Sequence, residues 1–158
     1  MQRYNDTAMK RYIVSCIILS MALGMFGQTN NMVVGTWLLQ DGSSKVSITK
    51  NEDGTFDGKI IWLKNPTEKD GSDKTDKRNP KVNLRSRKIL GLKLLNNFSY
   101  DAIKNEWNGG TIYDPNSGNT YKCYMWFEKT SNKLLIKGFI GISLIGRKVS
   151  LTRVDESV

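Results

Sequence analysis

The stretch Lys45–Leu63, K-V-S-I-T-K-N-E-D-G-T-F-D-G-K-I-I-W-L, decides the fold class of this chain. Its first residues alternate polar and apolar side chains, with Val46 and Ile48 on one face, which is typical of a half-buried antiparallel strand. The Asp-Gly pair that follows is a common hairpin signal. The chain then continues as a second strand, which carries on one face Phe56, Gly58, Ile60 and Trp62.

Similar short patterns recur along the rest of the chain. We predict strands at 33–39, 45–49, 55–63, 88–95, 106–113, 120–127, 133–140 and 146–154, with a polar connection at 96–105. Residues 88–95 also fit a helix, but Gly91 and the neighbouring turns favour a strand. Sequential antiparallel strands either stack as a sandwich or close into an up-and-down barrel. A single barrel of about eight strands is just wide enough to hold one small ligand. We therefore predict an all-β domain, a single antiparallel up-and-down barrel of about eight strands with one long loop.

A long basic loop separates the third and fourth predicted strands. Residues 64–82 lack a periodic pattern, and structureless loops of about 19 residues are usually functional or disordered. Segment 64–88 holds nine Lys/Arg and four Asp/Glu residues, so its net charge is +5. Such a loop can attract an anionic lipid headgroup or envelope polymer, or it can simply be solvated. The spacing within it of three aspartates does not match a calcium loop, so we predict no metal site: Asp70, Asp73 and Asp76.

The basic segment ends in Asn79–Leu92, N-P-K-V-N-L-R-S-R-K-I-L-G-L, where cations stand next to an apolar run. Arg85 and Arg87 lie two residues apart, so an extended chain directs both toward one anionic group. Bidentate guanidinium geometry suits a carboxylate or a phosphate. The alternative is an ion pair with Asp114 or Glu106 that pins the loop to the barrel.

The N-terminal residues have the layout of a secretory signal peptide. Lys10 and Arg11 form a basic region, an apolar run follows over 12–26, and small residues come near its end. The run is too short, and has the wrong flanks, for a membrane span. We therefore predict export to the periplasm or out of the cell.

We place the signal peptide at 1–27 and a single barrel domain at 28–158. Cleavage after Gly24 and a start at Met9 rather than Met1 are the alternatives. Cys16 lies inside the apolar run, with most of the run after it, whereas a lipoprotein signal places the apolar run before its cysteine.

The composition excludes several classes of enzyme. The chain has no histidine, which removes Ser-His and Cys-His catalysis and histidine-ligated zinc. Cleavage of the leader would leave Cys123 as the single cysteine, so no internal disulfide is expected. An enzyme could use Asp114 or Glu106 as a general acid or base, but no second carboxylate lies at a telling spacing. We therefore expect a protein without a cofactor and without enzymatic activity.

Several separated motifs also point to a family. In chain order they are Gly35–Trp37, Gly58–Leu63, the Asn79–Leu92 segment, Trp107–Pro115, and Gly118 with Thr120 and Tyr121. Together they resemble the exported bacterial family called domain of unknown function 2147. The similarity runs over about residues 34–154. This resemblance implies a calycin-type, lipocalin-like barrel in the cell envelope, and it implies no particular activity.

Trp37 near the start and Arg153 near the end resemble a pair found in lipocalins. In that pair a basic residue of the last strand covers a tryptophan of the first. A guanidinium group can stack on an indole and donate hydrogen bonds to nearby carbonyls, which closes one end of a barrel. We expect this pair to be structural.

These observations give a candidate binding site and two hypotheses. Its aromatic residues can line a pocket, or they can be ordinary core residues. The candidate ligand-binding residues are Trp62, Asn79, Arg85, Arg87, Trp107, Tyr113, Asp114 and Tyr121. The first hypothesis is that a small amphipathic or acidic, lipid-like molecule binds in or at the mouth of the barrel. The alternative is an envelope interaction or stress protein with a filled barrel, whose basic loop contacts an anionic partner. Neither involves nucleic acid or a transmembrane segment in the mature chain.

Overall fold

The computed structural model describes residues 31–139 and 148–154. The predicted signal peptide at 1–27, with its Cys16, lies outside the described residues. From residue 33 onward, the described residues belong to one compact unit. Within the described ranges, no helix has both the length and the apolar composition that crossing a bilayer requires.

The unit is built from strands in simple sequential order. They are β1 Gly35–Leu39, β2 Ser44–Lys50, β3 Phe56–Leu63, β4 Lys93–Asp101, β5 Glu106–Asp114, β6 Asn119–Phe127, β7 Lys133–Phe139 and β8 Lys148–Val154. Each strand pairs antiparallel with the next, and β1 also pairs antiparallel with β8, so the sheet closes into a barrel. Closure pairs the two strands that would otherwise be sheet edges. The predicted eight-stranded up-and-down barrel is confirmed.

The period-two pattern of the sequence separates the inner from the outer wall. In β2, Val46 and Ile48 are buried while Ser47 between them is partly exposed. In β6, Cys123 and Met125 show the same alternation. Successive side chains of a strand point to opposite faces, so each strand contributes one row to the barrel interior.

The inward rows meet in one contiguous core. Its largest members, Trp37, Phe56, Phe98 and Trp107, are completely buried. The Trp107 ring packs edge-on against Phe56 and Phe127, with ring centres 6.4 and 5.3 Å apart. Burial of an aromatic side chain of this size stabilises the fold by about 1.5–3 kcal/mol. These aromatic side chains occupy much of the barrel interior.

Trp37 and Arg153 close one end of the barrel, which we call the closed end. They stand opposite each other in the β1–β8 register. The Arg153 guanidinium carbon lies 4.3 Å from the centre of the Trp37 ring, and its Nη1 donates to the Val34 carbonyl at 3.0 Å. Gly35 makes this approach possible, because a Cβ at that position would lie 2.6 Å from Arg153 Nη1.

Strand β4 differs from its predicted position. The sequence favoured a strand at 88–95 and a polar connection after it, whereas the strand spans Lys93–Asp101. Asn97 adopts a positive φ of 59°, and Leu95 and Phe98, three residues apart, are both buried. A local irregularity of this kind breaks the period of two and conceals the strand from a search for alternation.

A bulge in β3 carries Trp62 to the outer wall. Lys45 pairs with Trp62 while the next residue, Val46, pairs with Ile60, so Ile61 is an extra residue in β3. A β-bulge reverses the alternation beyond it. Trp62 is 41% exposed, so the prediction that it shares the inner face with Phe56 is wrong.

Residues 64–92, which we call the long loop, are folded. Isolated β-bridges join Thr67 to Asp73 and Thr75 to Lys88, and a short 3-10 helix spans Val82–Leu84. The expectation of a structureless segment is therefore corrected. The loop is ordered by pairing between residues distant in sequence, which hydrophobic periodicity does not reveal.

Candidate functional site

The mouth of the barrel is the end opposite the closed end, where the connections 40–43, 64–92 and 115–118 lie. Inward-facing side chains near the closed end are fully buried, as Trp37 and Trp107 are. A second group, nearer the mouth, is apolar but only half-buried: Leu39, Ile112, Tyr121 and Val149. The mouth therefore presents partly exposed apolar side chains above the buried core.

Gly138 widens this apolar surface. It stands opposite the inward-facing Cys123 in the β6–β7 pair. A Cβ at Gly138 would lie 3.6 Å from Tyr121 Cβ and 3.9 Å from Ile112 Cγ2, which are ordinary contacts. The site thus has room for a Cβ in contact with both residues, and the bare glycine leaves them uncovered there.

Polar side chains form a short chain at the rim beside Tyr121. The Tyr121 hydroxyl lies 3.3 Å from Ser117 Oγ, and this serine donates to Asp114 Oδ2 at 2.9 Å. The other Asp114 oxygen accepts the Asn116 N–H at 2.9 Å, so the aspartate organises its own turn. Asp114 and Tyr121, two predicted site residues, are thus brought together through Ser117. Sequence reasoning missed Ser117 because serine is common in turns.

Asp76 lies at the centre of a buried polar cluster that fastens the long loop to β5. Its Oδ1 accepts a hydrogen bond from the Tyr113 hydroxyl at 2.6 Å. Its Oδ2 accepts from Asn79 Nδ2 at 2.8 Å, and from Arg87 Nε and Nη2 at 2.9 and 2.8 Å. The guanidinium also lies 5.3 Å from the centre of the Tyr113 ring. We call these four residues the loop anchor.

The loop anchor lies on the outside of the barrel wall. Tyr113 alternates with Ile112, which packs on the core, so the tyrosine side chain points outward. Tyr113 is nevertheless buried, because residues of the long loop bind its hydroxyl and cover its ring. The anchor therefore positions the loop and is separate from the inner surface of the mouth.

The protonation states of the anchor follow from its hydrogen bonds. Burial alone would raise the pKa of Asp76, but hydrogen bonds from Tyr113, Asn79 and Arg87, with the Arg87 charge, outweigh it and lower the pKa. Burial and the neighbouring carboxylate raise the pKa of Tyr113, so its hydroxyl remains a donor. With both oxygens of Asp76 occupied by donors, the cluster has the character of a structural ion pair rather than of a general base.

Arg85 and Arg87 do not face a common anion. Arg85 follows the 3-10 helix with φ −70° and ψ −19°, so the chain is not extended there and the predicted shared direction is wrong. Its Nε donates to the Asn79 carbonyl at 2.8 Å. Arg87 forms its ion pair with Asp76, rather than with either acidic residue predicted as its partner. No sequence spacing indicated this partner, although a carboxylate amid basic residues was a weak signal.

The two candidate tryptophans also lie away from the mouth. Trp107 is fully buried in the core at the start of β5, near the closed end. Trp62 stands on the outer wall, where Lys45 Nζ lies 5.5 Å from its ring centre. Among the aromatic residues predicted to line a pocket, Tyr121 is the one on the inner surface of the mouth.

Cys123 is a buried, free thiol in the core. Its desolvation raises its pKa to about 12, so it stays protonated and unreactive. Over 31–139 and 148–154, no cluster of three or more cysteine, aspartate or glutamate side chains is arranged to hold a metal ion.

Comparison with known proteins places this barrel in context. A solved structure described as "Protein HP1028 from the human pathogen Helicobacter pylori belongs to the lipocalin family" is similar, with a TM-score of 0.63 and 24% sequence identity. The match covers 78% of this chain and 84% of that one. At this identity, what the two share is the lipocalin-like fold. The search of curated proteins found no match.

The family comparison covers nearly the whole barrel. Residues 35–153 match the family described as "Uncharacterized protein conserved in bacteria (DUF2147)". The matched segment begins at the first residue of β1 and ends one residue before the end of β8, so it covers part or all of every strand. The motifs quoted from the sequence predicted this assignment, and the chain belongs to this bacterial family.

Proposed function

We propose that this protein is a non-catalytic carrier in the bacterial envelope, and that it binds a small amphipathic molecule with an acidic group at the mouth of the barrel. The observation that carries the proposal is the change along the inner wall from fully buried to half-buried apolar side chains. Lipocalin-like barrels are suited to holding one small molecule at an open end.

The depth of the mouth limits the ligand. The core fills the barrel below Ile112 and Val149, so only a short apolar part can enter. The rest of the ligand would lie at the rim, beside Tyr121 and the Asp114 turn. This division favours a molecule with an apolar body and a polar head.

The charge of the neighbouring loop favours an acidic head. Glu68, Asp73 and Asp76 each pair with a basic residue of the loop. Further cations form no ion pair within the described residues: Lys64, Lys69, Lys74, Arg78, Lys81 and Arg85. The Arg78 carbonyl lies next to Gly118 of the β5–β6 turn, so this part of the loop borders the rim. A local excess of cations raises the concentration of anions nearby.

The remaining parts of the proposal come from the sequence. The layout of residues 1–27 supports export. The absence of histidine from the chain and the full occupancy of the Asp76 carboxylate support a role without catalysis.

A fluorescent fatty acid, 11-(dansylamino)undecanoate, tests the carrier proposal with the purified 28–158 chain. We expect saturable binding that Gly138→Leu weakens at least tenfold, because leucine fills the space beside Tyr121. Lys137→Leu, on the outer face of the same strand, is the matched control and should bind like the wild type. Urea unfolding midpoints equal to that of the wild type would establish that both variants are folded.

A second comparison tests the acidic head. Arg78→Ala, at the part of the loop that borders the rim, should weaken binding of the carboxylate probe, and it should leave competition by dodecanol, which lacks the charge, unchanged. Absence of saturable binding, or equal binding by the two leucine variants, would overturn the carrier proposal.

The filled core supports the alternative function. Rings and aliphatic side chains occupy the barrel from the closed end upward. In that case the barrel is a scaffold, and the unpaired cations of the long loop contact an anionic envelope partner. Retention of the protein on an anionic polymer column without any binding of small amphiphiles would favour this alternative.

A further inference from the structure

An exposed apolar patch lies on the outer wall of the barrel, away from the inner surface of the mouth. It consists of Ile61, Trp62 and Leu90, which are 40, 41 and 47% exposed. We call these three residues the outer patch. Large apolar side chains that cluster on a surface mark a site of interaction more often than single ones do.

Backbone pairing brings the three residues together. The Gly91 N–H donates to the Ile60 carbonyl at 2.8 Å, and the Ile60 N–H donates to the Leu92 carbonyl at 3.0 Å. In an antiparallel arrangement these bonds set Leu90 beside Ile61. The bulge in β3 turns Trp62 to the same outer wall. The patch is therefore built by the end of the long loop and the bulged end of β3.

Cations surround the outer patch. Lys45 Nζ lies over the Trp62 ring at 5.5 Å, and Lys59 and Lys64 are exposed on either side of Ile61 and Trp62 in the chain. None of these three lysines forms an ion pair within the described residues. Asp57, a carboxylate of β3, is already paired with another lysine: its Oδ2 lies 2.5 Å from Lys93 Nζ.

We propose that the outer patch docks the protein onto the surface of an anionic lipid bilayer. Tryptophan favours the interface between lipid and water, and isoleucine and leucine insert into the acyl boundary. Lysine stems lie along apolar surface while their ammonium groups reach the headgroups, so charge and apolar contact act together. The complementarity between this cationic rim and anionic headgroups selects a bilayer as the occupant.

A contrast within the chain sharpens the assignment. Ile103 is more exposed than any member of the patch, at 98%, but it stands alone in the β4–β5 turn. The lysine next to it, Lys104, is engaged by Asp101 and Glu106. A single apolar side chain beside neutralised charge lacks both contributions to bilayer binding. Bilayer docking does not depend on the carrier function, since the two surfaces share no residue.

Vesicle flotation with the 28–158 chain tests the proposal. We expect binding to vesicles of equal parts phosphatidylglycerol and phosphatidylcholine, and at least tenfold weaker binding to vesicles of phosphatidylcholine alone. Raising the salt concentration from 0.05 to 0.5 M should reduce binding, because the lysine contribution is screened. Brominated lipid should quench the fluorescence of the wild type, and should quench that of Trp62→Phe much less.

Paired variants assign the surface. Trp62→Ala and Leu90→Ser should each lower the partition coefficient about tenfold, whereas Ile103→Ser should leave it unchanged. Lys59→Gln should lower it about fivefold. Lys122→Gln removes an exposed cation from β6, three strands away from β3, and is the charge control.

Three results would overturn the proposal. The first is equal binding to the two kinds of vesicle. The second is an equal loss with Ile103→Ser and Trp62→Ala. The third is a dimer in sedimentation velocity that disappears in Trp62→Ala, which would assign the patch to a second copy of the chain instead.

Discussion

At the scale of single residues, Asp76 explains how a basic segment becomes an ordered one. Its carboxylate is fully buried and accepts hydrogen bonds from Asn79, Arg87 and Tyr113. An unpaired buried carboxylate costs several kcal/mol, so the loop can bury Asp76 only where these donors converge. The most distant of these partners, Tyr113, lies 37 residues from Asp76 in the sequence. This one side chain thus links the loop to β5.

Replacing Asp76 with asparagine keeps its size and removes its charge. We expect Asp76→Asn to lower the free energy of unfolding by about 2–3 kcal/mol at pH 7, because Arg87 loses its counter-charge and an amide group meets donors. Urea unfolding followed by tryptophan fluorescence measures the change. A loss below about 0.5 kcal/mol would contradict the structural role of the anchor.

The same variant gives a pH dependence of defined sign. The pKa of Asp76 is lower in the folded chain than the ordinary value of about 3.9. The stability that its charge contributes is therefore complete above that ordinary value and is lost as the pH falls through the folded pKa. The difference in unfolding free energy between the wild type and Asp76→Asn should be constant from about pH 8 to 5 and shrink below about pH 4. A difference that is unchanged at pH 2 would contradict this assignment.

At the scale of elements, the β5–β6 turn and the long loop depend on each other. Gly118 has a φ of 75°, and a Cβ on it would lie 2.0 Å from the Arg78 carbonyl oxygen. The turn is closed by the Gly118 N–H, which donates to the Asp114 carbonyl at 2.8 Å. The glycine therefore serves the backbone conformation of its turn and also the close approach of the loop.

Two glycine variants separate these roles. Gly42 has a similar φ of 67° but nothing within 4 Å of its Cβ position. Gly42→Ala should cost about 1 kcal/mol, from backbone strain alone. Gly118→Ala should cost about 2 kcal/mol more, because the loop must also move.

Urea unfolding and amide hydrogen exchange, measured on both glycine variants, check this prediction. Amides of the loop, such as those of Asp76 and Ile89, should lose protection in Gly118→Ala and keep it in Gly42→Ala. Equal costs and equal exchange in the two variants would contradict the contact between loop and turn.

At the scale of the whole molecule, closure of the barrel joins residues from the two ends of the described chain. Trp37 of β1 stands opposite Arg153 of β8, and the arginine bridges to the Val34 carbonyl. This contact closes the ring of strands at the end where the largest core residues lie. Closure also leaves the two ends of the barrel unlike, with a sealed end and a mouth.

Arg153→Ala should lower the free energy of unfolding by about 1–3 kcal/mol, because stacking and a hydrogen bond at the closed end are lost together. Arg153→Lys should retain only part of the stability that Arg153→Ala loses, since an ammonium group lacks the planar, forked donor. Lys148→Ala, an exposed cation at the other end of the same strand, should change stability by less than about 0.5 kcal/mol. Equal losses for Arg153→Ala and Lys148→Ala would contradict the closing role.

How much the sequence predicted depends on the range of each interaction. Val46 and Ile48 were placed correctly because alternation is a local property of a strand. Trp62 was misplaced because the bulge in β3 is set by its pairing with β2, which no local pattern reports. Arg87 was given the wrong partner because backbone curvature after the 3-10 helix redirects its side chain.

The sequence by itself determined seven of the eight strands, the antiparallel barrel and the family, since side chains that alternate with a period of two leave a strand one face to bury. It also contained the Trp37 and Arg153 motif and the cationic character of the loop. Only the tertiary structure decided that the loop is fastened by Asp76, that the interior below the mouth is filled, and that Trp62 faces outward. The physical reason is that burial and pairing between distant segments depend on how the closed sheet brings them together in space.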